Sequence, residues 1–525
     1  MKNTFYITTP IYYPSNKLTL GNCYTTIICD GLARFNRMLG KDVFYLTGTD
    51  EHGQKIQRKA ESLNKTEMEY LDEIIADTKS LWQKLDISYD KFIRTTDTYH
   101  QQVVQKIFKI LYDKGEIYKS EYKGLYCTPC ESFWTNEQLV NGKCPDCGRD
   151  VEEMTEEAYF FRLSNYQDKI LEIYNKNSNF LRPQSRVNEM INNFIKPGLK
   201  DLCVSRTSVK WGVPVDFDPK HTIYVWIDAL PNYLTALGYL QQDDANFHKF
   251  WPADVHVVGK EIVRFHAIIW PAILMALNLP LPKQIYGHGW LLFNGSKLSK
   301  SVDVGKKEMV DPRVLISRYG LDSVRLFLTK EIPFGQDGNY SQELFLNCYN
   351  SNLANEYGNL VSRTTGMINK YLDGELNKAS ELTDVDNKFI NEIREKRALV
   401  ISQVEDINPS GAINTIFEMF SKTNKYIDET APWTKFKENQ IERINTIMCL
   451  VSEAIIITNT LLMPFLTDKP KTVYANWRLS IPTLLEEYAD FGFIKNNTKV
   501  IKGENLYQRL DINKEMQELF DIANN

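Results

Sequence analysis

One set of cysteines and two short segments in this 525-residue chain combine residue types and spacings that suit chemistry. Cys127, Cys130, Cys144 and Cys147 form two Cys-x2-Cys pairs about a dozen residues apart. Each pair can wrap a tight turn around one ion and offer two thiolates, so the two together complete a tetrahedral zinc site. Four protein ligands leave no open position, which makes the expected zinc structural, one ion per chain. Pro129, Pro145 and Gly148 supply turn chemistry beside the thiols. Two disulfides or a chance spacing are the alternatives, but without a secretory leader the thiols are expected to stay reduced. The first segment, Thr19-Leu20-Gly21-Asn22, opens an expected helix whose free backbone N–H groups suit a phosphate. The second, Lys297-Leu298-Ser299-Lys300-Ser301, carries two ammonium groups in a polar loop, and taken alone it reads equally as a solvated turn.

The elements that must position these residues follow from hydrophobic pattern. A strand over Phe5–Thr9, a helix over Gly21–Leu39 and a strand over Val43–Thr47 make a βαβ unit, hence a parallel sheet with its ligands at the carboxyl ends of the strands. Neither GxGxxG nor a Walker motif is present. From about residue 116 to 210 the strand–helix rhythm is lost and the cysteines appear, as in an insertion. Strands are expected again over Thr222–Ile227, Val255–Val258 and Gln284–Phe293, with a helix over Ile262–Leu277; after Ser341 the pattern reads helical throughout. The expected divisions are 1–115 and 211–295 for two halves of an α/β domain, 116–210 for the insertion, 296–345 for the lysine loop and linker, and 346–525 for a helical bundle.

Composition narrows the class. Hydrophobic content of 43% and charged content of 25% exclude wholesale disorder. A net charge of −5 argues against a sequence-blind polyanion binder while leaving room for a local basic groove. The apolar stretch Cys449–Leu466 is broken by Ser452, Glu453, Thr458, Asn459 and Thr460, so it reads as a buried helix and not a membrane span. A soluble, cytoplasmic chain is expected. Asn359 and Arg363 lie four apart on one helix face, and Trp433 follows Pro432 at a helix start. That trio suits unpaired bases, or equally a helix face and a buried indole.

Together, the two segments resemble the paired signatures of class I aminoacyl-tRNA synthetases. The blocks Thr9-Pro10-Ile11-Tyr12-Tyr13-Pro14, Gly48-Thr49-Asp50-Glu51-His52-Gly53, Tyr224-Val225-Trp226-Ile227-Asp228-Ala229, Gly259-Lys260-Glu261-Ile262 and Gly287-His288-Gly289-Trp290 narrow the resemblance to the methionyl-tRNA synthetase family, bacterial type. So do Asn355-Glu356-Tyr357-Gly358-Asn359 and Ala431-Pro432-Trp433. The resemblance implies a split Rossmann-like parallel sheet with an inserted zinc-knuckle connective domain, followed by an α-helical anticodon-binding bundle. It also implies ATP-dependent ligation of L-methionine to initiator and elongator methionine tRNA through methionyl-adenylate, with Mg²⁺ accompanying ATP.

By the same resemblance Thr19, Asn22, Lys297 and Lys300 act on the phosphates, and Gly21, Gly259, Leu291 and Lys300 meet ATP. Ile11, Tyr13, Asp50, Trp226, Ala229, Tyr233, Ile262 and His266 form the methionine pocket, with Asp50 holding the ammonium. For the aromatics the alternative is ordinary core, and for His266 a core histidine with a satisfied ring. Asn359, Arg363 and Trp433 are expected to read the anticodon. The chain stops near where the family's helical domain usually closes, so no appended oligonucleotide-binding module and a monomer are expected. One departure stands out. Thr19 and Asn22 replace both signature histidines, and a hydroxyl cannot become cationic as imidazole can. A non-ligating paralogue is therefore the alternative function.

Overall fold

The computed structural model describes residues 3–127, 132–134, 139–144, 148–293, 296–297 and 311–524. Cys130, Cys147 and Lys300 lie outside the described residues, and of Lys297 only the backbone is described. Strand β1 (Thr4–Tyr12), helix α1 (Leu20–Met38) and strand β2 (Asp42–Thr49) form the βαβ unit that the pattern predicts, each strand longer than expected. In β1 the residues facing both sides are almost all buried, as a central parallel strand requires. Ile7 pairs with Tyr45 on one side and with Val255 on the other.

The main sheet has six strands, and every pairing in it is parallel. From one edge to the other they are Lys91–Arg94, β2, β1, Val255–Gly259, Ile285–His288 and Leu181–Arg182. The edge strand Leu181–Arg182 comes from inside the segment expected to be inserted. The long antiparallel pair Ile117–Cys127 and Glu152–Phe161 leaves the main sheet and carries Cys127 at its tip.

Three readings need correction. Over Thr222–Ile227 only Thr222–Ile223 is strand; a helix begins at Val225, because the segment must turn its carboxylate Asp228 inward toward two histidines. The expected strand Gln284–Phe293 is broken after His288, since a Cβ on Gly289 would stand 2.2 Å from the Gln336 backbone, and Leu291–Phe293 then pairs with Gly338–Tyr340 in another sheet. The region after Ser341 is not helical to the end. Glu375–Leu376 pairs with Thr498–Lys499, and an irregular strap connects Trp477 to Asp511.

The bundle is built around helix Ile441–Leu462. It is long and apolar enough to cross a membrane, yet 94% of its apolar window is buried by its neighbours, so its hydrophobicity is used as core.

Candidate active site

A cavity of about 610 Å³ opens where the carboxyl ends of the four central strands meet the N-terminus of α1. Its lining includes Ile11, Tyr13, Thr19, Gly21, Asn22, Asp50, Trp226, Gly259, Ile262 and Leu291, residues up to 280 positions apart that the parallel sheet brings to one edge. Ala229, Tyr233 and His266 are buried and do not line it.

At the mouth, Thr19 is the N-cap of α1 with extended backbone. Its backbone N–H and its hydroxyl both donate to Asn22 Oδ1, at 3.0 and 3.2 Å. The hydroxyl is thus engaged within the segment, and the Asn22 carbonyl is fixed by it. Among the described residues a Cβ on Gly21 would have only Thr19 Oγ1 nearby, at 3.7 Å, so none of them closes off this end of the helix.

Asp50 follows β2, with its N–H donating to Tyr12 O at 3.0 Å. Its Oδ1 is buried and finds no hydrogen-bond partner among the described residues. Burial, reinforced by the nearby carboxylates of Asp228 and Glu51, holds the Asp50 pKa well above the usual range. A buried carboxylate oxygen in a cavity wall, without a hydrogen-bond partner among the described residues, is suited to an incoming ammonium group.

Behind Asp50 the structure assembles residues that sequence reasoning missed as a unit. His52 Nδ1 lies 2.6 Å from Asp228 Oδ2, and His100 Nε2 lies 3.1 Å from Asp228 Oδ1. Burial opposes charge on Asp228, but His52 first and His100 second bring its pKa down to about 2. Burial likewise opposes charge on His52, and Asp228 more than offsets it, which raises the pKa of this cavity-wall histidine above the usual value. The only sequence signal for His52 was its place beside Asp50; its partner is 176 residues away.

The apolar wall carries Trp226 stacked on Phe265, with centroids 3.6 Å apart and planes 7° from parallel. His266 is held from both sides. Its Nδ1 meets Ile262 O at 3.0 Å and its Nε2 meets the Tyr233 hydroxyl at 2.8 Å. A carbonyl only accepts, so Nδ1 carries the proton and Nε2 accepts from Tyr233. Burial pushes the His266 pKa down to about 4, so the ring stays neutral.

On the opposite wall, His288 meets Thr25 Oγ1 at 2.7 Å, which ties strand Ile285–His288 to α1. Trp290 donates from Nε1 to Glu261 Oε2 at 2.7 Å, and Lys260 Nζ stands 3.9 Å from its ring centroid. Asp337 joins the cluster, accepting from Lys260 Nζ at 2.7 Å and from Trp290 N at 2.8 Å.

Of the cysteine set, Cys127 and Cys144 are described and both are buried. Gly148 N donates to Cys144 O at 2.8 Å and Cys144 N to Arg149 O at 2.9 Å, which holds residues 148 and 149 beside Cys144. Elsewhere Glu157, Asp218 and His221 place three ligand-type atoms within 4.8 Å of one another. Lys119 already supplies a cation there, 2.7 Å from Glu157 and 2.8 Å from Asp218.

In the bundle, helix Asn359–Tyr371 presents Asn359 to solvent and holds Arg363 2.8 Å from Asp428. Ala431, in left-handed conformation at φ 43°, turns the chain so that Trp433 is exposed and not core.

This arrangement has close counterparts. The family described as "tRNA synthetases class I (M)" matches residues 5–156 and 149–365, and "Anticodon binding domain of methionyl tRNA ligase" matches residues 376–516. The methionine–tRNA ligase of Caldanaerobacter subterraneus subsp. tengcongensis is 54% identical over 520 residues, covering 99% of this chain and 81% of that protein. That of Clostridium acetobutylicum is 52% identical over 519 residues, covering 99% and 80%. The solved structure described as Mycobacterium tuberculosis methionyl-tRNA synthetase in complex with methionyl-adenylate is similar with a TM-score of 0.90 at 36% identity, over 97% of this chain and all of that one. On these matches, which span both the sheet domain and the bundle, the chain belongs to the methionyl-tRNA synthetase family of class I aminoacyl-tRNA synthetases, the methionine–tRNA ligases.

Proposed function

We propose that this protein ligates L-methionine to methionine tRNA at the expense of ATP, through a methionyl-adenylate intermediate. The observation that carries the reading is the buried carboxylate oxygen of Asp50, unpartnered among the described residues, in the same cavity as the N-terminus of α1. The first suits the ammonium of an amino acid and the second a phosphate, so one cavity offers both ends of an aminoacyl phosphate. Asp50 holds the ammonium, with the His52–Asp228 pair behind it fixing the local charge. Ile11, Tyr13, Trp226 and Ile262 supply apolar and aromatic surface for a thioether side chain. Ala229, Tyr233 and His266 shape that wall from behind.

The methionine carboxylate attacks the α-phosphate and pyrophosphate leaves; the terminal ribose hydroxyl of tRNA then displaces AMP. No side chain becomes covalently bonded, because this class of transfer rests on positioning and charge stabilisation. Thr19, Gly21, Asn22, Gly259 and Leu291 bind and orient the nucleotide, and Lys297 and Lys300 neutralise the departing pyrophosphate. Mg²⁺ bound with ATP supplies further charge neutralisation on the phosphates. Cys127, Cys130, Cys144 and Cys147 hold a structural zinc ion, which metal analysis of protein purified under reducing conditions tests directly. Asn359, Arg363 and Trp433 read the anticodon of initiator and elongator tRNA. The halves 1–115 and 211–295, the insertion 116–210, the linker 296–345 and the bundle 346–525 divide these tasks in a cytoplasmic monomer.

Methionine-dependent exchange between pyrophosphate and ATP, followed by charging of methionine tRNA, decides the matter. Both activities are expected. A folded protein that binds methionine but gives no exchange is instead the non-ligating paralogue that Thr19 leaves open.

A further inference from the structure

We propose that Lys260 and Asp337 are positioning residues for the nucleotide: through Trp290 they hold the Glu261 carboxylate over Gly259, where it accepts from the ribose hydroxyls of ATP. The inference rests on the reading of the cavity as an adenylate-forming site, and adds to it two residues that do not themselves line the cavity.

The order of strands across the sheet says where a ribose belongs. Asp50 follows β2, the N-terminus of α1 follows β1, and Gly259 closes strand Val255–Gly259 on the far side of β1. An aminoacyl nucleotide runs from ammonium through carboxyl and phosphate to ribose. With the ammonium at Asp50 and the phosphate at α1, the ribose falls beside Gly259 and Glu261, both of which line the cavity. An ionised carboxylate only accepts hydrogen bonds, and a ribose diol offers two O–H donors.

Glu261 is not left to find its own orientation. A Cβ on Gly259 would stand 2.7 Å from Glu261 Oε2 and 2.9 Å from its Oε1, so the carboxylate is folded back over that glycine. The Trp290 indole holds it there, donating from Nε1 to Oε2 at 2.7 Å. Trp290 is in turn held at three points. Its backbone N–H donates to Asp337 Oδ1 at 2.8 Å, and its carbonyl accepts from Gly338 N at 2.9 Å. Over its ring stands Lys260 Nζ, 3.9 Å from the centroid, and the same ammonium donates to both Asp337 oxygens at 2.7 Å. The four side chains thus close a ring of contacts, of which Glu261 and Trp290 reach the cavity.

The Lys260 and Asp337 side chains are 19% and 36% exposed, and ion pairs with that access to water contribute little to stability. An ammonium held between a carboxylate and the face of an indole instead fixes the tilt of the ring. Breaking the pair frees the indole to turn and releases the Glu261 carboxylate from its place over Gly259.

The test is pyrophosphate exchange by the full chain with ATP, 2′-deoxy-ATP and 3′-deoxy-ATP, alongside thermal melts. The wild type is expected to favour ATP about tenfold or more over at least one analogue, as one charge-assisted hydrogen bond would give. Lys260→Met and Asp337→Asn should each cut that preference to about threefold or less and raise the KM for ATP, while the KM for methionine stays within about twofold. Glu261→Ala should lose the preference as well. Lys260→Arg, which keeps the cation, should retain it. The Lys260→Met/Asp337→Asn double variant should lose no more than the worse single one, because both act through Trp290. Melting temperatures should fall by about 4 °C at most. If the wild type uses all three nucleotides equally, Glu261 does not meet the ribose; the inference is then wrong and the proposed activity stands. The inference is equally wrong if Lys260→Met and Asp337→Asn keep the wild-type preference. It also fails if they weaken methionine and ATP alike with a large drop in melting temperature, since the pair then serves the fold. No exchange by the wild type with any of the nucleotides overturns the proposed function and takes the inference with it.

Discussion

Asp50 keeps a carboxylate oxygen buried without a partner among the described residues, and on the proposed function the substrate's ammonium group completes it. The cost falls on the protein before substrate binds. With its pKa held well above the ordinary value by burial and by Asp228 and Glu51, the folded state keeps the Asp50 proton to higher pH than the unfolded chain does. The folded state therefore binds more protons in the window above the unfolded carboxylate value, and stability falls as pH rises through that window. Asp50→Asn is expected to flatten this slope and raise the melting temperature at neutral pH. The same substitution should raise the KM for methionine roughly 30-fold or more, since an ammonium–carboxylate contact in a buried site is worth about 2–5 kcal/mol. Thermal melts across pH, paired with exchange kinetics, check both halves. A destabilised Asp50→Asn would show that the carboxylate has a structural partner after all.

On the proposed function helix α1 carries the phosphate end of the site, and its middle is gripped by the bundle. Phe465, just beyond the core helix Ile441–Leu462, lies against Gly31 and packs near Phe35 with centroids 6.0 Å apart. Glycine at position 31 is what allows this approach. Gly31→Ala, ordinarily a helix-stabilising change, is expected to destabilise by about 1–3 kcal/mol because the new methyl overlaps a ring packed in the core. Phe465→Leu in the same chain should recover part of the loss. Denaturant unfolding of the single and double variants measures this, and a stabilising Gly31→Ala would mean the Phe465 ring can step aside.

At the scale of the whole molecule, one guanidinium ties the parts together. Arg325, in helix Leu321–Lys330, is fully buried. It donates to Phe465 O at 2.6 Å, to Leu85 O at 3.0 Å and to Asp30 Oδ2 at 2.6 Å. It thereby joins the bundle, the end of helix Glu67–Lys84, and α1. Burial opposes charge on Asp30, but Arg325, Arg34 and Ser88 together hold its pKa below the usual value. The stability that this gives is present above the unfolded carboxylate pKa and is lost as pH falls through the lower folded one. Arg325→Met is expected to cost about 3–5 kcal/mol, because it strands a buried carboxylate, and Asp30→Leu should recover part of it. The loss should also shrink at acid pH, where Asp30 can be neutral. Unfolding at neutral and acid pH tests this, and an unchanged midpoint in Arg325→Met would mean that the three parts hold together without this guanidinium.

The sequence by itself determined what is local and periodic: the βαβ unit at the N-terminus, the buried character of Cys449–Leu466 and the helices of the bundle. It also supplied the residues of the cavity, because motif blocks near strand ends keep their chemistry whatever surrounds them. Ile11, Asp50 and Trp226 accordingly meet in one cavity. Tertiary structure alone decided the rest. Asp228 could not be seen as the partner of His52 across 176 residues, nor Arg325 as the partner of Asp30 across 295, since no local pattern encodes a long-range ion pair. The helix that begins at Val225, inside a run that reads as strand, is set by the inward turn of Asp228. The edge strand Leu181–Arg182 has too few residues to show a period, so only its pairing with Ile285–His288 reveals it. Gly31 looks like any other helix glycine in the sequence, and only its surroundings show that it admits Phe465.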